Sequence, residues 1–203
     1  MKAIVLHEFG PPDVLRYETI PDPQPRFGEI RIRVHAATVN RVLDVSVRAG
    51  AEAHRHPVLP LILGVDCAGV VDAVGEGVTR FKVGDHVASA GAMPLDPCAE
   101  DGAGYAGPQG MMGIKRPGGF AELVCVPAFK TNLLPSNLDF HEAAVVMRHC
   151  PTAWNLMCNV AQLKAGEWVL VMGASGNLGS VGIQIAKHVI GARVICTAGG
   201  RAR

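Results

Sequence analysis

Three glycines at every third position, Gly173, Gly176 and Gly179, lie between the apolar run Trp168-Val169-Leu170-Val171-Met172 and a segment in which Leu178, Val181, Ile185 and Val189 recur at helical spacing. A second apolar run, Arg193-Val194-Ile195-Cys196-Thr197, follows. Strand, glycine turn, helix and strand in that order make one βαβ unit. Glycine lets such a turn tighten, brings backbone amides close to a ligand, and packs the new helix against the strand it has left. The unpaired amides and positive dipole end of the helix then favour a diphosphate. Gly173, Ala174, Ser175, Gly176, Asn177, Leu178 and Gly179 are therefore the candidate cofactor-binding residues. A crossover with no ligand is the plainer alternative.

The end of the second strand selects among dinucleotides. A site for NAD places an acid about 20 residues after the first glycine, where it holds the ribose hydroxyls. Here the chain reads Cys196-Thr197-Ala198-Gly199-Gly200-Arg201-Ala202-Arg203, with no carboxylate, and Arg201 and Arg203 are available to pair with a 2′-phosphate. That favours NADPH; a merely basic stretch is the alternative. His54 and His56 form an H-x-H pair on a proline-rich loop with no third ligand nearby in sequence, which reads as solvent-exposed rather than metal-binding. The six cysteines, 67, 98, 125, 150, 158 and 196, form no C-x-x-C pair and sit mostly in apolar runs, as reduced, buried thiols do in a cytosolic protein.

The preceding residues must supply the rest of a site. Strands are expected at 2–7 and 14–20 around the turn Gly10-Pro11-Pro12-Asp13, and at 29–39, where Ile30, Ile32 and Val34 alternate with Arg31, Arg33 and His35. A short helix follows from 40 to 48, capped by Asn40 and ended by Gly50. The glycine-punctuated run from Leu61 to Gly75, with a turn into the next strand at 81–87 and another strand at 120–126, fits a small barrel. Residues 91–119 carry eight glycines and four prolines and read as one long loop. Asp139 and Glu142 fit a capping box on a helix at 139–147, and a second helix is expected at 152–160.

The chain has 203 residues, 49% of them hydrophobic, and a formal charge of +1 with acids and bases interspersed. It can bury one or two cores but offers no basic field for nucleic acid and no polybasic membrane patch. Its start, Met1-Lys2-Ala3-Ile4-Val5-Leu6-His7-Glu8, is soon broken by charge, and no run approaches membrane-spanning length. A cytoplasmic protein acting on a small-molecule substrate is expected, and a homodimer is compatible with it.

The order of these pieces resembles the medium-chain dehydrogenase/reductase superfamily. The matching stretches are Leu63-Gly64-Val65-Asp66-Cys67-Ala68-Gly69-Val70-Val71, Val74-Gly75, Gly84-Asp85-His86-Val87, Gly118-Gly119-Phe120-Ala121-Glu122, Thr152-Ala153-Trp154 and the turn from Gly173 to Gly179. The resemblance implies α+β and α/β architecture: a GroES-like β-barrel catalytic domain over 1–150, then the first βαβ part of a Rossmann domain over 151–203. Where zinc-dependent members place metal ligands, this chain has Arg41 (or Asn40, by one residue), Val65 and Arg148, none of them suited to zinc, and the loop at 91–119 holds only Cys98 of the four cysteines a structural zinc would need. The likeness is then to the zinc-free branch, quinone oxidoreductases and enoyl reductases, which pass hydride from NADPH to an activated double bond. It puts Asn40 near the nicotinamide or the substrate carbonyl and Thr152 near the cofactor; each also reads as a helix cap. The tyrosine that donates a proton in some enoyl thioester reductases is replaced by Ala51-Glu52-Ala53-His54, leaving Glu52, His54 or water for that task. Because a doubly wound domain takes about 100–150 residues, the chain is expected to be part of a longer reductase or a shortened, non-catalytic binding relative.

Arg201→Glu is expected to weaken binding of NADPH more than of NADH, measured by titrating tryptophan fluorescence with each coenzyme; equal losses would remove Arg201 from the phosphate site.

Overall fold

The computed structural model describes residues 1–51, 57–94 and 109–199. It falls into two compact units, Met1–Ala144 and Val145–Arg203.

In the first unit, strand β1 (Lys2–Leu6) pairs antiparallel with β2 (Leu15–Thr19) on one side and with β4 (Leu61–Ile62) on the other. A five-stranded antiparallel sheet carries the order β10 (Thr131–Leu133), β6 (His86–Ala90), β5 (Asp66–Val74), β3 (Glu29–Ala36), β9 (Leu123–Pro127). The segment before β9 stitches the two sheets together: Ile4 N–H donates to Phe120 O at 2.8 Å, and Glu122 N–H donates to Lys2 O at 3.0 Å. This is the curled barrel of a GroES-like domain.

Alternation decides which side of each strand faces inward. Ile30 and Ile32 of β3 are fully buried with Cys67, Val71, Val87, Met112, Val124 and Val126, while Arg33 points out. A second apolar cluster joins helix α1 (Asp44–Arg48) to the barrel: Leu43 and Val47 pack with Leu6, Leu61, Leu63, Val65 and Ile114. On the outer face of β3, the Asp72 carboxylate accepts from Arg31 Nε at 2.7 Å and also from Arg33. Burial pushes the Asp72 carboxyl up, but those two guanidinium hydrogen bonds outweigh it, so it sits below the ordinary carboxylate range.

Two expectations change here. The stretch 91–119 is not loop throughout, because its ends pair as an antiparallel ribbon of β7 (Ala92–Pro94) and β8 (Gln109–Met111), and Met112 and Ile114 enter the core. The helices at 139–147 and 152–160 are one: α2 (Phe140–Trp154) runs through Pro151 and continues as a π-helical turn from Asn155 to Val160. Its start is the expected capping box, Glu142 N–H to Asp139 Oδ1 at 2.8 Å and Asp139 N–H to Glu142 Oε2 at 3.3 Å.

In the second unit β11 (Trp168–Met172) and β12 (Arg193–Thr197) pair in parallel, joined by α3 (Asn177–Gln184) and a π-helical turn that ends in the left-handed Gly191. Val171, Ile185, Ala186 and Ala192 are buried between helix and strands. Trp168, Leu170, Met172 and Ile195 stand exposed on the opposite face. This is the first βαβ part of a Rossmann domain. Among the described residues no helix is long and apolar enough to cross a membrane.

Asp72→Asn is expected to destabilise the first unit by about 1–2 kcal/mol at neutral pH, the scale of charge-assisted hydrogen bonds. A carboxyl whose folded pKa is depressed contributes stability above its unfolded pKa and loses it as pH falls through the folded value. Urea titrations should therefore show wild type and variant converging in acid; a gap that persists there would refute the ion-pair account.

Candidate functional site

The glycine turn is built by backbone contacts alone. Gly173 has φ +67°, a conformation side chains disfavour. Ala174 N–H donates to Thr197 O at 2.9 Å, tying the turn to the end of β12, and Gly176 N–H donates to Gly173 O at 2.9 Å. A Cβ on Gly179 would stand 2.4 Å from Gly173 O, so only glycine lets α3 start this close to β11. Gly176 is the N-cap residue of α3 and offers no side-chain oxygen to its first turn. The amides of Asn177, Leu178 and Gly179 thus head a helix with its positive end uncapped by any side chain. Ser175, Gly176, Asn177 and Leu178 are exposed around them. The turn therefore joins all seven residues expected from sequence in a form that suits a phosphate.

Asn40 lies in the first unit, in the turn leading to α1. Its Oδ1 accepts from Val42 N–H at 3.1 Å and Leu43 N–H at 3.0 Å, which is the capping expected of it. The helix proper begins only at Asp44, four residues later than the spacing suggested. With both lone-pair directions of Oδ1 occupied, Asn40 can meet a further group only as an N–H donor.

Thr152 does not head a helix: it sits within α2, exposed, so its expected capping role is replaced by a mid-helix position. Of the positions where zinc ligands would stand, Val65 is fully buried in the apolar cluster with Leu43, Val47 and Ile114, Arg41 is exposed, and Arg148 is half-buried with a buried Nε that has no hydrogen-bond partner among the described residues. None supplies a thiolate, imidazole or carboxylate. Among the described residues no three His, Cys, Asp or Glu side chains gather as a metal site. Arg201, Arg203, Glu52, His54, His56 and Cys98 lie outside the described residues.

The cysteines depart from the expected pattern. Only Cys67 of the described five is buried; Cys125, Cys150 and Cys158 are half-buried and Cys196 is exposed. Cys196 stands in register with Val171, on the side of the strand pair that α3 packs against, and is exposed all the same. Burial pushes the Cys67 thiol up strongly and the Cys125 thiol to about 12, so neither is a thiolate at neutral pH.

Two carboxylates went unnoticed in the sequence. Asp44 and Asp66 are 3% and 0% exposed. Asp66 accepts Thr38 N–H at 2.7 Å and the Thr38 hydroxyl. Asp44 accepts Asn40 N–H at 2.7 Å and Gly64 N–H at 3.0 Å. The available signal was an acid set inside an apolar run at an inward-facing position.

Comparison with known proteins supplies the class. A family model described as the alcohol dehydrogenase GroES-like domain matches residues 26–136. The chain belongs to that family, and with it to the medium-chain dehydrogenase/reductase superfamily. It is 34% identical over 200 residues to the quinone oxidoreductase of Homo sapiens, covering 98% of this chain and 53% of that protein. A crystal structure of an NAD-dependent alcohol dehydrogenase superposes with a TM-score of 0.87 at 38% identity, over 98% of this chain and 58% of that one. The Escherichia coli quinone oxidoreductase complexed with NADPH gives 0.78 at 27% identity, over 98% and 53%. The chain thus spans about half the length of these relatives.

Gly179→Ala should destabilise the second unit by about 1–3 kcal/mol, since its methyl meets backbone rather than a movable side chain. At Gly176 the nearest atom to an added Cβ is Gly173 O at 3.2 Å, so Gly176→Val should leave the strands folded and abolish coenzyme binding. Thermal melts and coenzyme titrations of the two variants check this; unchanged affinity in Gly176→Val would refute the phosphate site.

Proposed function

We propose that this chain carries the catalytic domain, residues 1–150, and the start of the dinucleotide-binding domain, residues 151–203, of a cytoplasmic, zinc-independent reductase. It passes hydride from NADPH to an activated C=C bond or a quinone. The observation that carries this reading is the uncapped start of α3 behind the Gly173 to Gly179 turn, a cradle that a side chain at Gly179 would close. Its amides would hold the coenzyme diphosphate. NADPH, when bound, supplies the hydride.

The remaining tasks fall to this chain's own residues. Reduction of a C=C bond conjugated with a carbonyl sends charge onto the carbonyl oxygen, and a fixed N–H donor there lowers the barrier without a Lewis acid. Asn40 has its acceptor oxygen spent and its amide N–H groups to give. That is the polarity the oxygen needs. Direct alcohol oxidation would instead need an ion where Val65 packs in the core.

Arg201 and Arg203 are the proposed readers of the 2′-phosphate, and the NADPH complex of the Escherichia coli quinone oxidoreductase supports that preference. The likeness to an NAD-dependent alcohol dehydrogenase pulls the other way. We favour NADPH because residues 198–203, directly after β12, hold two arginines and no carboxylate. Thr152 is proposed to lie near the coenzyme.

Titration with NADPH should quench fluorescence from Trp154 or Trp168, and a simple quinone or enone should then consume the bound coenzyme. Binding without turnover would favour the non-catalytic relative. No binding at all would end the proposal.

A further inference from the structure

Asn40 is fixed in place by more than its own cap. Its N–H is held by Asp44 Oδ2 at 2.7 Å, while the other oxygen of the same carboxylate holds Gly64 N–H at 3.0 Å. The loop that follows β3 and the turn that follows β4 are thus pinned to one buried carboxyl group. Neither end of this link can drift. Asp44 is flanked by Leu43 and Val47, both packed with Leu61, Leu63 and Val65. Gly64 has φ +103°, and a Cβ there would stand 2.6 Å from Gly119 N. Two residues before Asn40, Thr38 is tied through its N–H and its hydroxyl to the fully buried Asp66. Asn40 O also accepts Asp44 N–H at 2.8 Å, closing a ring of contacts around one residue.

Stability alone does not account for this arrangement. A buried charge is costly to desolvate, and an apolar group of similar size commonly serves a fold as well. What a buried carboxylate adds is direction, because both its oxygens must keep their donors. A five-residue helix with its apolar side already packed needs no such anchor to form. The residue that gains is Asn40, whose carboxamide then has one orientation.

We propose that Asp44 is the positioning residue for the Asn40 carboxamide: it locks the loop so that, with Oδ1 committed to Val42 and Leu43, the amide presents its N–H to the carbonyl oxygen of a conjugated substrate. This rests on the donor role given to Asn40 above. Asp66 supports it by holding Thr38.

The test uses the full 203-residue chain, labelled with nitrogen-15 and titrated with 2-cyclohexenone. The side-chain amide resonance of Asn40, assigned by its disappearance in Asn40→Ser, should shift saturably. In Asp44→Asn and Asp44→Ala that response should weaken roughly tenfold or vanish, and the backbone amides of Asn40 and Gly64 should exchange with deuterium roughly tenfold faster, while the β3, β5 and β9 amides keep their wild-type shifts. Should the Asp44 variants fail to fold, Thr38→Val removes one hydroxyl donor and should weaken the response severalfold. A wild-type response in folded Asp44→Asn, or in Thr38→Val where only that variant folds, would overturn the positioning role. A wild-type chain whose Asn40 amide ignores the enone would instead remove Asn40 from the substrate site, and the positioning proposal with it; the exchange rates would then report on the link alone.

Discussion

Around Gly64 two stretches of backbone run directly against each other. Gly118 N–H donates to Ile62 O at 2.8 Å, Gly119 N–H to Gly64 O at 3.1 Å and Phe120 N–H to Leu63 O at 3.0 Å. A Cβ on Gly118 would fall 2.3 Å from both Leu63 O and Gly64 O. This crossing carries the chain from the ribbon of β7 and β8 to β9 at the edge of the five-stranded sheet, and it brings Gly64 N–H to the Asp44 carboxylate. Remove the contact and three things loosen together: the junction of the two sheets, the apolar cluster under α1, and the loop holding Asn40. Backbone packed on backbone is rigid in a way side-chain contacts are not, because there is no rotamer to absorb a displacement.

The second unit uses glycine for a different end. At Gly64 and Gly118 the missing Cβ admits another part of the same barrel; at Gly179 it admits the preceding turn, and at Gly176 an added Cβ would meet Gly173 O at 3.2 Å. Close crowding by the protein's own backbone marks the structural glycines, and exposure at the head of a helix marks the one proposed to face a ligand.

How far the sequence could be read followed from how local each feature was. The βαβ unit, the Asn40 cap and the Asp139 capping box depend on residues within a few positions of one another, and periodicity or spacing exposed them. The alternation of Ile30 and Ile32 against Arg31 and Arg33 gave the inner face of β3 for the same reason. What could not be read was non-local. The union of two expected helices into α2 turned on whether Pro151 breaks a helix, and proline weights that outcome without deciding it. The pairing of β7 with β8 joins segments with little periodicity of their own. Asp44 and Asp66 looked like ordinary acids because their donors, Gly64 and Thr38, stand 20 and 28 residues away. Exposure of Cys196 is likewise a matter of what covers a sheet face, which no window of sequence contains.

The bare side of the β11 and β12 pair has a consequence for how stability is to be understood here. A two-stranded sheet with one covered face is marginal in water, and Trp168, Leu170, Met172 and Ile195 leave a continuous oily strip unshielded. Whatever molecule lies down on that strip adds its own affinity to the folding equilibrium of residues 145–203, by mass action. The melting temperature of this unit is then a variable that rises with the supply of whatever covers the strip.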